Sequence, residues 1–191
     1  MRTAEFDREQ VLEAAMEVFC QKGYVKTTMQ DLKEATGLHP GSIYCAFKNK
    51  RGMLLAALNQ FIQSRWRQSQ LCLDSEEPLD GIQYYLHQLA EKLCMHHPHC
   101  LLSRTVADFS SVDNDIRDAL EQPWRELLER LETLLVKAKE QGSLKPSINP
   151  QNAAWLLLIS VFGLRGFPQF MADEKSLHAC IDLQINLMRC E

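Results

Sequence analysis

Residues 23–57 read GYVKTTMQDLKEATGLHPGSIYCAFKNKRGMLLAA, and this stretch decides the architecture. Thr28-Met29-Gln30-Asp31 has the spacing of a helix-opening capping box, with Asp in place of the usual Glu or Gln. The helix it opens ends at Thr36-Gly37, where glycine supplies the backbone freedom of a tight turn. A second short helix starts at Pro40, since the fixed φ of proline suits a first helical turn and its missing N–H costs nothing there. It ends near Phe47, before the polar break Lys48-Asn49-Lys50. Two short helices joined by a Gly-containing turn form a helix-turn-helix, whose second helix is shaped to enter a DNA major groove. His39, Pro40, Gly41 and Ser42 would be the exposed start of that helix, with Leu38, Ile43 and Phe47 packing inward. Tyr44 can lay its ring on the core and its hydroxyl on a phosphate.

Outward from this stretch the pattern is helical throughout. Val11, Leu12, Ala15, Val18 and Phe19 recur at helical spacing in a first helix over about 7–21, closed by Gly23. A long fourth helix covers about 51–73, and the acidic, Pro-containing loop 74–78 follows. Further helices are expected over about 79–96, 101–109, 113–141, 151–166 and 173–189. Pro123 should kink or split the long one, and Asn149-Pro150 caps and opens the next. No period-2 alternation appears. The fold class expected is all-α with about nine helices: a three-helix head at 1–50, a linking helix at 51–73, and a helical body at 74–191.

Charge is distributed unevenly. Residues 1–67 carry ten Lys/Arg against seven Asp/Glu, and the remainder eleven against eighteen. No acid lies between Glu34 and Asp74, a span that keeps Lys48, Lys50, Arg51, Arg65 and Arg67. Bases kept where acids are removed suit a polyphosphate partner. The seven cysteines are odd in number and contain no Cys-x-x-Cys pair, which fits buried thiols in a reducing compartment better than a disulfide framework. The polar start, Met1 to Gln10, has no signal-peptide character, and the apolar runs fall short of the ~20 residues that span a bilayer. A cytoplasmic protein without membrane association is expected. Nucleotide-binding glycine loops, His-Glu-x-x-His and Gly-x-Ser-x-Gly are all lacking, so neither an enzyme nor a cofactor is expected. A purely helical interaction module would leave the acid-free basic span and the Tyr44–Phe47–Lys48 frame unexplained.

The literal residues of 23–57 closely resemble the DNA-binding domain of the TetR family of repressors. Gly–aromatic, paired Thr, a short helix, Ala-x-Gly, Gly-Ser-Ile-Tyr, Phe, Lys and an amphipathic helix follow in the family's order and spacing. The resemblance covers about the first 65 residues, and the remainder agrees in helix number and length. It implies that Thr28 meets a phosphate near the start of the second helix and that residues 39–42 face base edges. It also implies that Tyr44 and Lys48 hold the DNA backbone and that Lys50 reaches a phosphate near the start of the fourth helix. Three positions depart from the family pattern. His39 stands at the N-cap where Ser is common, Pro40 replaces a frequent polar base reader, and Lys33 occupies a position often apolar.

The same resemblance implies a homodimer on a palindromic operator and an unidentified small-molecule inducer. The last two helices would form the dimer interface, through Trp155, Ile159, Phe162, Leu177, Ile181, Leu183 and Leu187. Tyr84, Cys100, Phe109 and Trp124 would line the ligand pocket. One alternative stays within the fold. Cys94-Met95-His96-His97-Pro98-His99-Cys100 concentrates soft ligand types, and Cys100 at a helix start could be a reactive thiol, making a redox- or metal-responsive regulator. The spacing of that run spreads its ligands around a helix end and across Pro98, so no metal site is expected.

Overall fold

Asp7 opens the chain's first helix by accepting the backbone N–H of Glu9 at 3.0 Å and of Gln10 at 3.2 Å, satisfying donors that have no partner within the helix. In the computed structural model, which describes residues 6–73, 75–95, 105, 114–166 and 173–190, this helix is α1 (Arg8–Lys26). Gly23, at φ 74° and ψ 163°, breaks its regular geometry, as its expected role in closing the helix requires. The helices that follow are α2 (Met29–Thr36), α3 (Pro40–Phe47), α4 (Lys50–Leu73), α5 (Pro78–Met95), α6 (Asn114–Glu140), α7 (Pro150–Gly166) and α8 (Glu174–Met188). The described residues are all-helical apart from turns and one isolated bridge. Of the helix expected over 101–109 only Thr105 is described, and it is helical and buried; the rest lies outside the described residues. Pro123 does not split its helix but lies inside α6.

The chain forms two compact units. The first contains α1, α2, α3, α4 as far as Arg65, and α6 from Asn114 to Glu121. Its core is built from Leu12, Phe19, Leu32, Ile43, Met53, Leu54 and Ile116. Arg51 closes on Asp115 at 2.6 Å within it, so the segment around Asp115 joins the helices of the head.

The second unit contains α5, α6 from Gln122, α7 and α8. Ile82, Leu86 and Ala90 of α5 pack with Leu131 and Leu135 of α6, Leu157 and Val161 of α7, and Ile181 and Ile185 of α8. Leu144 and Arg189 make an antiparallel bridge. Cys190 N–H donates to the Ser143 carbonyl at 2.8 Å and Lys145 N–H to that of Met188 at 2.9 Å. These bonds tie the end of α8 to the α6–α7 turn. No described helix is long and apolar enough to cross a membrane.

Candidate nucleic-acid interface

The two threonines before α2 divide their work. Thr27 is buried and its hydroxyl donates to the Gly23 carbonyl at 2.6 Å, which fixes the turn leading into α2. Thr28 is exposed and caps α2: its Oγ1 accepts the Asp31 N–H at 3.1 Å and donates to Asp31 Oδ2 at 2.8 Å. Its own N–H donates to the same carboxylate at 2.8 Å, completing a reciprocal capping box. Asp31 also receives Lys22 Nζ at 2.6 Å. The Lys22 bond foremost, with those from Thr28, lowers the Asp31 carboxyl from 3.8 to about 2. Gly37 ends α2 at φ 67°, donating back to the Lys33 carbonyl, and sets the turn into α3.

Lys50, expected at a phosphate, has its ammonium turned inward. It donates to the Tyr24 carbonyl at 2.9 Å and the Thr27 carbonyl at 2.7 Å, and lies 4.3 Å from the centre of the Tyr24 ring. Held by both carbonyls and the ring face, Lys50 fastens the Gly23–Thr28 turn. Thr28 is likewise engaged at both of its donors. The structure therefore gives each residue an internal role besides any contact with DNA.

α3 presents a single outward stripe. Gly41, Tyr44, Cys45 and Lys48 are exposed and recur at helical spacing, while Ile43 and Phe47 are buried on the opposite side. His39 caps the helix through Nδ1, which accepts the Gly41 N–H at 3.3 Å, and Pro40 holds the first helical position. Ser42 is half-buried. Lys48 ends the helix at φ 67°, the sole non-glycine positive φ among the described residues. Strain of this kind persists where surrounding structure demands it. The demand is visible next door: a Cβ on Gly52 would lie 2.0 Å from the Phe47 carbonyl oxygen, and Gly52 N–H is capped by Asn49 Oδ1 at 2.8 Å. Cys45 and Gly52 were not among the expected site residues. The spacing Gly41–Cys45–Lys48 signals the first, whereas a glycine inside a helical pattern is all that marks the second.

The body residues divide too. Trp155, Ile159, Phe162, Leu183 and Leu187 are exposed, Leu183 at 60% and Leu187 at 63%. Ile181, expected beside them, is buried at 4% and belongs to the core of its own unit, and Leu177 packs against that core. The α8 stripe at 181, 185 and 188 faces inward, so the stripe at 183 and 187 faces out. Tyr84, expected to line a pocket, is exposed instead. Trp124 is partly buried against the core, its ring 5.6 Å from that of Phe162. An open groove of about 370 Å³ lies elsewhere, between residues such as Asn149, Leu156, Gln184 and Leu187. Cys100 and Phe109 lie outside the described residues, as does most of the 94–100 cluster. Cys94 is described, and burial, followed by the nearby Glu174 and Asp173, raises its thiol pKa, which disfavours a reactive thiolate. No three His, Cys, Asp or Glu side chains among the described residues are placed to hold a metal ion.

Between α5 and α8, Asp182 Oδ1 accepts Gln83 Nε2 at 2.6 Å and pairs with His87 Nε2 at 2.8 Å. His87 stacks on His178 with centroids 4.2 Å apart, and His178 Nε2 is buried without a hydrogen-bond partner. These groups form a polar seam beside an otherwise apolar core.

Comparison with known proteins places these features. Residues 11–57 match the model of the bacterial regulatory proteins of the TetR family, and residues 86–182 match the tetracyclin repressor-like C-terminal domain. The chain belongs to the TetR family. It is similar to the transcriptional repressor ComR of Escherichia coli, at 25% identity over 85% of this chain and 80% of that one. It is also similar to the repressor DhaR of a Mycobacterium species, at 23% identity over 80% and 77%. Among solved structures it shares its fold with a cysteine mutant of CifR bound to a 26-base-pair operator, with a TM-score of 0.81, 23% identity and coverage of 97% and 98%. Reduced E. coli NemR has a TM-score of 0.81 at 21% identity, covering 96% of each chain. This TetR-family chain is a DNA-binding transcriptional regulator, not an enzyme.

Proposed function

We propose that the chain is a ligand-responsive repressor that binds a palindromic operator as a homodimer in the cytoplasm, with residues 1–50 reading DNA and 74–191 sensing and dimerising. The observation that carries this reading is the outward stripe of α3, small at its N-terminal end and basic at Lys48, on a head with a closed core. A single recognition helix covers only a few base pairs, so useful affinity calls for two heads on symmetric half-sites. Exposed Trp155, Ile159, Phe162, Leu183 and Leu187 support the pairing, because an apolar surface of this kind is normally covered. The relatives ComR and DhaR are named as repressors, which supports repression rather than activation here.

Ligand control has a thermodynamic test. An inducer that releases operator must bind the DNA-free protein more tightly, and operator must weaken inducer binding by the same factor, on the order of 5- to 150-fold. Calorimetry across a metabolite panel, with and without operator, measures that factor. Equal affinities in both states would leave a constitutive DNA binder. Sedimentation at micromolar concentration should give twice the chain mass of 22.0 kDa, and a monomer would defeat the symmetric-operator reading.

A further inference from the structure

The recognition helix lacks the side chains that ordinarily read purines. Its sequence, PGSIYCAF, contains no Arg, Lys, Asn, Gln, Asp or Glu. Arg and Lys recognise guanine through O6 and N7, Asn and Gln recognise adenine through N6 and N7, and the acids accept from cytosine N4. What remains on the outer surface of α3 is small or apolar: exposed Gly41, Cys45 and the Tyr44 ring, with Pro40 and Ser42 half-buried at its start. The Ser42 hydroxyl can bond any base and so discriminates little. His39 offers one outward nitrogen, since Nδ1 is engaged by the Gly41 N–H. A single nitrogen cannot make the bidentate pairing that discriminates strongly between bases. Lys48, the first cation along the stripe, stands beyond the helix end, where a phosphate is the natural partner.

We propose that α3 reads its half-site through thymine C5-methyl groups and groove shape, and not through hydrogen bonds to purine edges. This rests on the DNA-binding reading above and specifies the class of sequence read. Among the four base pairs only those containing thymine present a methyl group in the major groove. Proline and cysteine offer carbon and a weakly polar sulfur to meet it. Gly41 has no side chain, and nothing beyond His39 Nδ1 at 3.6 Å stands near where one would be, so the helix backbone can come close to the groove floor. Positions outside the methyl contacts are then discriminated by how readily the duplex takes the required shape.

The wild-type full chain tests this without mutation. Duplexes are selected from a randomised pool, and the enriched half-site is resynthesised in two forms. In one, each thymine is replaced in turn by uracil, which removes only the methyl group. In the other, 7-deazapurines replace the purines, which removes the N7 acceptors. At least one uracil position should weaken binding ~4-fold per half-site, or ~15-fold when both half-sites carry it, and the 7-deaza duplex should bind within about twofold of the parent. No loss at any uracil position, or a larger loss from N7 removal than from methyl removal, overturns the proposal. A pool that yields no enriched sequence defeats the DNA-reading assignment itself, an outcome distinguishable from both.

Discussion

The two units differ most in what they leave uncovered. In the head, the large apolar side chains exposed among the described residues are Val25 and Tyr44. In the body, Trp155, Leu156, Ile159 and Phe162 of α7 and Leu183 and Leu187 of α8 are exposed together with Tyr84 and Val136. Both units have closed cores, so the contrast is not one of folding quality. On the proposed function it separates a surface for water and phosphate from one for a second apolar surface. The head's small outer residues allow close approach, whereas the body's outer α7 and α8 residues call for cover.

A charge on the body's uncovered face should have the largest effect. Leu187→Glu places a carboxylate where the proposed partner packs, and burying it unpaired costs several kcal/mol. The dimer dissociation constant measured by sedimentation should rise at least about a hundredfold, while the circular dichroism of the monomer stays helical because Leu187 is exposed. A variant that dimerises like wild type would remove the face from the interface and end the contrast.

Gly52→Ala tests whether the head's surface depends on its tight turn. Its Cβ would lie 2.0 Å from the Phe47 carbonyl oxygen, so the backbone at the end of α3 must shift. A decrease of about 2 kcal/mol in stability by chemical denaturation is expected, and a neutral result would show that the turn relaxes freely.

The neighbouring lysines sharpen the division further. Lys50→Ala removes the donor to the Tyr24 and Thr27 carbonyls and should destabilise the head by about 1–2 kcal/mol. Lys48→Ala should leave stability within about 0.5 kcal/mol but lower the salt slope of operator binding by about 0.9 for each phosphate it no longer neutralises. If the two variants exchanged these signatures, the assignment of the inward and outward lysine would be reversed.

The smallest effect is expected from Asp31. Its carboxyl titrates near 2 in the folded head, below its ordinary 3.8. Its contribution to stability is therefore fully present above about pH 4 and disappears as pH falls towards 2. Asp31→Asn should flatten this acid limb relative to wild type, read from thermal unfolding across pH 2–5, and unchanged pH dependence would show that the capping box contributes nothing to it.

The sequence alone determined the helices and the helix-turn-helix, because their signals are local. The Thr28–Asp31 box, Gly37, Pro40, and the Asn149-Pro150 start all act on backbone groups within a turn of themselves. The inward placement of Ile43 and Phe47 was legible for the same reason: they fall on one side of a helix too short to offer a second apolar face. The tertiary structure decided where longer-range choices existed. Periodicity marks Leu177, Ile181, Leu183 and Leu187 as equally apolar, and only packing against α5 and α7 turns Ile181 inward and leaves Leu183 and Leu187 out. Tyr84 had an apolar helix to join, yet the face its neighbours Ile82, Tyr85 and Leu86 bury is not its own. Lys50 and Lys48 are two residues apart with the same charge. The carbonyls of Tyr24 and Thr27, more than twenty residues away, draw one ammonium inward and leave the other exposed. A side chain's partner across such a separation is set by how the helices pack, and no spacing within one helix encodes it.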